Sequence, residues 1–229
     1  MKKLNLLLLA LFSIAGFANA QVIKDKAVKP QVGIRAGYNH ATWGGNSVEE
    51  FANLGEQFGA FKTEWVSGFH AGAYVSLPIT ANFSVEPGLL YSQKGMRVSQ
   101  TFLDGSAVGF LAPRIDVTSR MQYIDMPVLA KVTTGSGFQL FAGPQFSYLL
   151  NQDAVVEGGI LGFSYEQDFE LNRGFRKFDV GLTGGIGYQM LNGININASY
   201  DYGLNSLDEG NSNVKAFNRA AKISIGYTF

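Results

Sequence analysis

Histidines are the first candidates for chemistry in this 229-residue chain, which contains two of them and no cysteine. A histidine beside a carboxylate or a hydroxyl can act as a general base or activate a nucleophile. His40 could meet Asp116, Asp168 or Ser47 at one rim of the fold, as in a lipid- or peptide-acting enzyme. No short motif links these residues, and a lone polar histidine is more often structural. We therefore expect no catalytic site, no cofactor and no metal.

A glycine-rich stretch, GLTGGIG at 181 to 187, superficially suggests a phosphate-binding loop. Such a loop leads from a strand into a helix. Here the glycines lie within an alternating segment that ends at Asn192-Gly193, a dipeptide that favours a two-residue hairpin turn. The stretch is therefore interpreted as structural.

The first 20 residues have the pattern of a secretory signal peptide: Lys2 and Lys3, a short apolar run and an Ala18-Asn19-Ala20 cleavage site. The apolar run is too short for a spanning helix. We expect cleavage after residue 20, a polar periplasmic lead-in at 21 to 31 and one domain at 32 to 229. Cleavage would leave 16 basic and 18 acidic residues, which excludes a basic surface for nucleic acid. The absence of cysteine excludes a disulfide framework.

Eight segments with an apolar residue at every second position are predicted as strands: 32–39, 69–78, 83–94, 120–132, 138–149, 175–190, 194–204 and 220–229. Long connections alternate with short ones along the chain. Short periplasmic turns and long external loops are typical of outer-membrane barrels. The sequence thus predicts an all-β fold, an eight-stranded antiparallel up-and-down transmembrane β-barrel with both termini in the periplasm.

The distribution of charge predicts which face of these strands meets lipid. One parity, from Val32 to Phe229, carries no charge, whereas the opposite parity carries Arg35, His70, Glu86, Lys94, Asp125, Lys131, Lys177, Asp179, Asp201 and Lys222. A soluble, lipocalin-like barrel would turn the uncharged parity inward. Aromatic residues of that parity gather at both strand ends, however, as they do at the two interfaces of a membrane. The uncharged parity is therefore predicted to face lipid.

A barrel of eight strands leaves an interior just wide enough for side chains to fill it. We expect the inward charges to pair into a structural plug, because buried charges are tolerated when they are paired. A pore-lining role, in a narrow channel or small-solute transporter, is the alternative. The expected network comprises Arg35, Glu86, Asp125, Lys131, Asp179, Asp201 and Lys222.

The long loops are where a barrel of this kind carries specificity. In the loop at 40 to 68, Ser47 and Glu50 form a capping box that predicts a short amphipathic helix. The loop at 95 to 119 is expected to continue its flanking strands into a hairpin with an Asp104-Gly105 tip. The loop at 150 to 174 is more apolar than a solvated loop needs to be. It could mark an interaction site or pack on the other loops.

Four stretches resemble the PorT-like outer-membrane β-barrel proteins common in Bacteroidetes: VEPGLLYSQKG (85–95), YIDMPVLAKV (123–132), FAGPQF (141–146) and DVGLTGGIGYQM (179–190). The resemblance covers the barrel from the third strand onward and implies architecture rather than activity. The last strand, with Ile225, Tyr227 and Phe229, looks like the signal that barrel-assembly machinery reads in such proteins. We therefore expect a non-enzymatic structural or interaction role in contact with outer-membrane lipid, with the loops free to bind an envelope partner.

Overall fold

The computed structural model describes residues 29–45, 48, 62–101, 114–160, 163–170, 176–208 and 215–229. The predicted signal peptide, most of the lead-in, the capping box and the Asp104-Gly105 tip lie outside these ranges. Within them, no helix has the length and apolarity needed to cross a membrane. The strands in these ranges are β1 Gln31–Gly44, β2 Lys62–Pro78, β3 Phe83–Thr101, β4 Arg114–Thr133, β5 Phe138–Ile160, β6 Phe163–Glu170, β7 Phe178–Gln189, β8 Ile194–Gly203 and β9 Phe217–Thr228.

Eight of these strands close into an antiparallel ring. β1 to β5 pair in chain order, β5 then pairs with β7, and β7, β8 and β9 follow. The ring closes because β9 pairs with β1 from Gly33↔Thr228 to Gly44↔Phe217, and the Phe229 backbone N donates to the Val32 O at 2.9 Å. The predicted eight-stranded barrel is confirmed. β6 is an additional strand that pairs with the end of β5.

The strands extend beyond their predicted ends on the side of the long connections, which we call the extended end. β3 continues to Thr101 and β5 to Ile160, whereas the sequence predicted ends at 94 and 149. β2 and β4 likewise begin at Lys62 and Arg114, not at 69 and 120. The expected continuation of the 95 to 119 loop as paired strands is confirmed. The 150 to 174 loop proves to be largely strand, because β5 runs on and turns back into β6.

The opposite end of the barrel, the short-turn end, consists of three tight connections at 79–82, 134–137 and 190–193. Gly137 and Gly193 have φ angles of 92° and 90°, in the left-handed region that favours glycine. Their backbone N atoms donate to the carbonyls of Thr134 at 2.9 Å and Met190 at 3.2 Å. The turn predicted at Asn192-Gly193 is thus confirmed.

The two faces of the sheet follow the predicted parity. Ile34, Leu140 and Ile223 of the uncharged parity are 53, 60 and 62% exposed on the outside, whereas Asp125 is fully buried inside. Aromatic side chains are exposed on the outside near both strand ends: Tyr38, Phe69, Tyr148, Phe178, Tyr200 and Tyr202 towards the extended end, and Phe138, Tyr188, Tyr227 and Phe229 at the short-turn end. Tyr38 pairs with Phe69, and Tyr148 with Phe178, so the rings adjoin around the barrel.

One bulge changes which residues of β5 point inward. Gln122 pairs with Asn151 and Tyr123 with Leu149, so Leu150 is the extra residue. Below the bulge Gln145 and Ser147 are buried, and above it the buried positions include Gln152. The extended part of β5 therefore no longer follows the parity of the membrane-spanning part.

Candidate functional site in the barrel lumen

All seven residues of the expected network are buried inside the barrel, on six different strands: Arg35, Glu86, Asp125, Lys131, Asp179, Asp201 and Lys222. The structure arranges them at two heights. Three lie next to the short-turn end and are called the mouth layer: Arg35, Glu86 and Lys131. Asp125, Asp201 and Lys222 lie further inside. Together with Lys94, which is not in the predicted network, they form the inner layer. The seventh, Asp179, is held by a neutral partner.

The mouth layer contains two cations and one carboxylate around an aromatic ring. Arg35 Nη2 lies 2.8 Å from Glu86 Oε1, and Lys131 Nζ donates to Glu86 Oε2. Lys131 pairs with Ser84, two residues before Glu86, so β3 and β4 present the two side chains diagonally across one face. The Tyr74 ring lies between the cations, with its centroid 4.6 Å from the Arg35 guanidinium and 5.8 Å from the Lys131 ammonium.

Tyr74 can occupy this place because the position opposite it is a glycine. Gly33 of β1 pairs with Tyr74, and a Cβ at Gly33 would overlap the tyrosine ring. The Tyr74 hydroxyl is fixed in turn, at 2.7 Å from Thr228 Oγ1 and 2.8 Å from Asn195 Nδ2. The ring is therefore a rigid wall of the mouth layer.

The inner layer is a closed group of two lysines and two aspartates. Lys94 Nζ lies 3.0 Å from the Asp125 carboxylate and 3.6 Å from Asp201 Oδ2. Lys222 Nζ lies 3.2 Å from Asp125 Oδ2 and 2.5 Å from Asp201 Oδ2. Each charge therefore faces two charges of the opposite sign, and the layer is electrically neutral.

Neutral side chains add hydrogen bonds to these carboxylates. Ser147 Oγ donates to Asp125 Oδ1 at 2.6 Å, and Gln145 Nε2 donates to Asp201 Oδ2 at 3.0 Å. Asp179 accepts from Asn218 Nδ2 at 2.8 Å. Such hydrogen bonds offset part of the cost of burying a carboxylate.

Sequence reasoning left Lys94 out of the network although it lies on the inward parity. Lys94 is the last residue of the strand predicted at 83–94, which placed it at a rim. Because β3 continues to Thr101, Lys94 is enclosed and only 3% exposed. The inward parity alone would also have indicated Tyr74, whose ring packs against the mouth layer.

Two cavities show how the lumen is filled. A vestibule of about 490 Å³ opens at the short-turn end and reaches Glu86 and Lys131. Between the two layers, a chamber of about 30 Å³ lined by Arg35, His70 and Lys222 among others has room for about two water molecules. His70 is held there by Asn39, whose Oδ1 lies 2.6 Å from His70 Nδ1. The cavity between the two layers is thus far smaller than the vestibule.

The hypothesis of a rim site that combines His40 with Asp116 is wrong. His40 faces outward, in a stack with Tyr38 at 6.3 Å and Trp65 at 5.1 Å between ring centroids, whereas Asp116 is buried. Their strands, β1 and β4, are separated by β2 and β3, a distance of about 14 Å across the sheet. Ser47 and the Asp168 side chain lie outside the described residues. In the described ranges, no three His, Asp or Glu side chains converge in a way that could hold a metal ion.

Comparison with protein-family models matches residues 19–209 to the outer membrane protein beta-barrel domain. The chain belongs to this family. As a member of the outer membrane protein beta-barrel domain family, it resides in the outer membrane of a Gram-negative bacterium, with lipid against its uncharged parity. Outer-membrane barrels of this type have short periplasmic turns and longer external loops. The short-turn end is therefore the periplasmic end, and the extended end is external.

Several solved structures are similar to this chain at low identity. Ail, the attachment invasion locus protein of Yersinia pestis, is 12% identical over 88% of this chain and 100% of its own, with a TM-score of 0.44. Neisserial surface protein A is 13% identical over 86% of this chain and 97% of its own, with a TM-score of 0.44. OprG from Pseudomonas aeruginosa is 15% identical over 87% of this chain and 95% of its own, with a TM-score of 0.40. A search of curated proteins gave no significant match.

Proposed function

We propose that this protein is a non-enzymatic outer-membrane barrel whose filled lumen supports an external β-sheet with a structural or interaction role. The observation that carries this proposal is the pair of ion-paired layers across the lumen, with a chamber of only about 30 Å³ between them. We also propose that this protein is a PorT-like barrel of the kind common in Bacteroidetes. Residues 1–20 are its signal peptide and are removed. Its support is the four sequence stretches that resemble that family.

The inner layer makes the plug costly to open. Separating its lysines from its aspartates would leave charges that are 6% exposed or less without partners. Breaking one buried ion pair in this way typically costs about 3–5 kcal/mol. Passage of an ion would require several such pairs to separate at once, so we favour a structural role for this network.

The external sheet is the part of the molecule best placed to meet a partner. β4 and β5 stay paired from Gln122↔Asn151 to Arg114↔Gly159, and β6 adds a further strand to β5. From Tyr148, one of the exposed aromatic residues towards the extended end, to Ile160, β5 advances by twelve residue steps, or about 40 Å if fully extended. A rigid barrel with a projecting sheet is suited to presenting an adhesive or scaffolding surface, since binding residues concentrate on segments held by a rigid support.

A narrow channel is the second candidate function. It is favoured by the periplasmic vestibule, which brings an opening of about 490 Å³ as far as the mouth layer. An ion that entered there would then have to cross the mouth layer and the inner layer.

Conductance in planar bilayers separates these two functions. The refolded protein should give no ion-sized current steps, because the inner layer fills the lumen. Steady steps in the unaltered protein whose size changes with Asp125→Asn or Lys131→Gln would support the channel and contradict the plug. Lys177→Gln, at an exposed external lysine, is the matched control for a charge change outside the lumen.

The interaction role is tested by removing the projecting hairpin. A variant with residues 154–169 replaced by a short turn should fold and insert, because the ring pairing of β5 with β7 ends at Tyr148. Envelope proteins cross-linked to the unaltered chain in native membranes should be lost from the variant. Identical cross-linked partners with both chains would contradict an interaction role for this sheet.

A further inference from the structure

Arg219 is a cation on the outer face of the barrel, at the level of the exposed aromatic residues towards the extended end. β9 begins at Phe217, so Arg219 continues the outward row of Ala221 beyond the strand predicted at 220–229. It pairs with Tyr202 of β8, whose ring is 48% exposed on the outside, and with Thr42 of β1. Directly paired residues share a face of the sheet. A positive charge therefore lies on the lipid-facing side at the external interface, where such a charge costs least.

The guanidinium of Arg219 is held in one place on this face. Its central carbon lies 3.6 Å from the centroid of the Tyr202 ring and 5.6 Å from that of the Phe217 ring. Its Nη1 donates to the carbonyl oxygens of Gly203 and Asn218, each at 2.8 Å. These contacts fix the position of the group but use only one of its three nitrogens.

The other two nitrogens of Arg219, Nε and Nη2, make no hydrogen bond to the residues that the structure describes. Neither is among the enclosed side-chain atoms that lack a partner, so both retain accessible surface. Within the described ranges, the ion pairs between side chains do not include Arg219. Nε and Nη2 form one edge of the guanidinium, a planar fork that matches two oxygens of a phosphate or a carboxylate. This edge is therefore available to an anion.

The outer surface around this edge is polar and aromatic. The described positions that pair with or adjoin Arg219 on this face of β1, β8 and β9 carry no carboxylate. The hydroxyl of Thr42 belongs to the residue directly opposite, and His40, diagonal to Arg219, is exposed and stacks on Trp65 at 5.1 Å. Diagonal neighbours are about 7–8 Å apart, a span that one anionic headgroup can bridge. An anion bound here would meet donors and aromatic rings and no opposing negative charge.

We propose that Arg219 binds a phosphate group of the glycolipid in the outer leaflet. The site lies at the external interface, where the headgroups of that phosphorylated glycolipid surround the barrel. Nε and Nη2 donate to two phosphate oxygens, and the Thr42 hydroxyl donates to the same group. The Tyr202 ring and the two backbone carbonyls hold the fork in place before the lipid arrives. This inference requires only that the uncharged parity faces lipid, so it stands or falls separately from the filled lumen and the external sheet.

Two forms of one glycolipid test the proposal. Lipid A with its phosphates, and the same lipid A after their removal, would each be titrated into the isotopically labelled, refolded barrel in zwitterionic bicelles. Amide and arginine Nε–H signals would be followed by NMR. The phosphorylated form should shift the signals of Arg219, Thr42 and Gly203 in a saturable way, and the dephosphorylated form should bind at least about tenfold more weakly. Equal affinity for the two forms, or no saturable shift at Arg219, would overturn the proposal.

Inorganic phosphate distinguishes the lipid from a free anion. At the same concentration it should leave these signals unchanged, because it lacks the acyl chains that hold the lipid beside the barrel. Shifts at Arg219 as large as those with phosphorylated lipid A would overturn the assignment of a lipid as the ligand.

Two variants locate the site. Arg219→Gln should weaken binding of phosphorylated lipid A about ten- to a hundredfold, the usual worth of a charge-assisted hydrogen bond, and should abolish the preference over the dephosphorylated form. Arg176→Gln, at an exposed external arginine next to β7, is the matched control and should leave both affinities unchanged. Equal weakening by the two variants would show a general attraction to positive charge and contradict a site at Arg219. The two lipids on unaltered protein decide the matter if Arg219→Gln does not fold.

Discussion

The mouth layer and the inner layer use the same chemistry in two different settings. The inner layer is enclosed, and its two lysines and two aspartates balance. The mouth layer borders the vestibule, and its two cations share one carboxylate. Enclosed charges must balance because bulk water does not reach them to compensate an excess. Charges beside a cavity that opens to solvent can be unbalanced because water can solvate the surplus.

The largest effect is expected from Asp125→Asn in the inner layer. Asp125 is fully buried and faces both Lys94 and Lys222. Removing its charge leaves two lysines to share Asp201, so the free energy of unfolding should fall by about 3–5 kcal/mol. Urea unfolding in detergent micelles, followed by tryptophan fluorescence, measures this. A loss below about 1 kcal/mol would show that the inner layer is not an enclosed group.

A smaller loss of stability is expected from Glu86→Gln in the mouth layer. Like Asp125→Asn in the inner layer, this substitution replaces a carboxylate by a neutral amide. Arg35 and Lys131 lose their carboxylate, but the vestibule admits water to Lys131. The free energy of unfolding should fall by about 1–3 kcal/mol, the cost of an unsatisfied polar group, as measured by the same urea titration. A loss equal to that of Asp125→Asn would remove the distinction between the two layers.

The smallest effect is expected from Tyr74→Phe, which keeps the ring beside the cations and removes only its hydroxyl. Two hydrogen bonds are lost, to Thr228 and Asn195, and each is worth about 0.5–1.5 kcal/mol. The same unfolding measurement should give a loss of about 1–2 kcal/mol. Tyr188→Phe on the lipid-facing side is the matched control and should change stability by less than about 0.5 kcal/mol. Equal losses for both variants would mean that the hydroxyl of Tyr74 does not anchor the mouth layer.

The fold could be predicted from the sequence because a transmembrane barrel imposes a period of two on every strand. Within the bilayer one face meets hydrocarbon and the other meets the lumen, so Val128 and Lys131 on β4 fall on opposite faces by parity alone. Outside the bilayer this constraint ends. The extension of β5 and the whole of β6 were missed for that reason, although their backbone ladders continue, whereas the continuation of β3 and β4 was expected.

Parity assigns a side chain to a face but gives no height along the barrel axis. Lys94 on β3 and Lys222 on β9 contact the same aspartate. They lie at the same height because of the pairing registers of all the strands between them, from β9 through β1 and β2 to β3. The division into two layers, and the extra cation of the mouth layer, therefore could not be predicted from one sequence. All three of Ile225, Tyr227 and Phe229 are exposed on the lipid-facing side. That barrel-assembly machinery recognises them as a signal stays a prediction.

The seam between β1 and β9 joins the earliest strand of the barrel to the last. Until β9 is in place β1 has only one neighbouring strand, β2, so the row of amides and carbonyls along its other edge is unpaired. Such open edges invite aggregation. Loss of β9 as a whole would leave an open edge on both β1 and β8, so closure of the barrel depends on this twelve-residue strand.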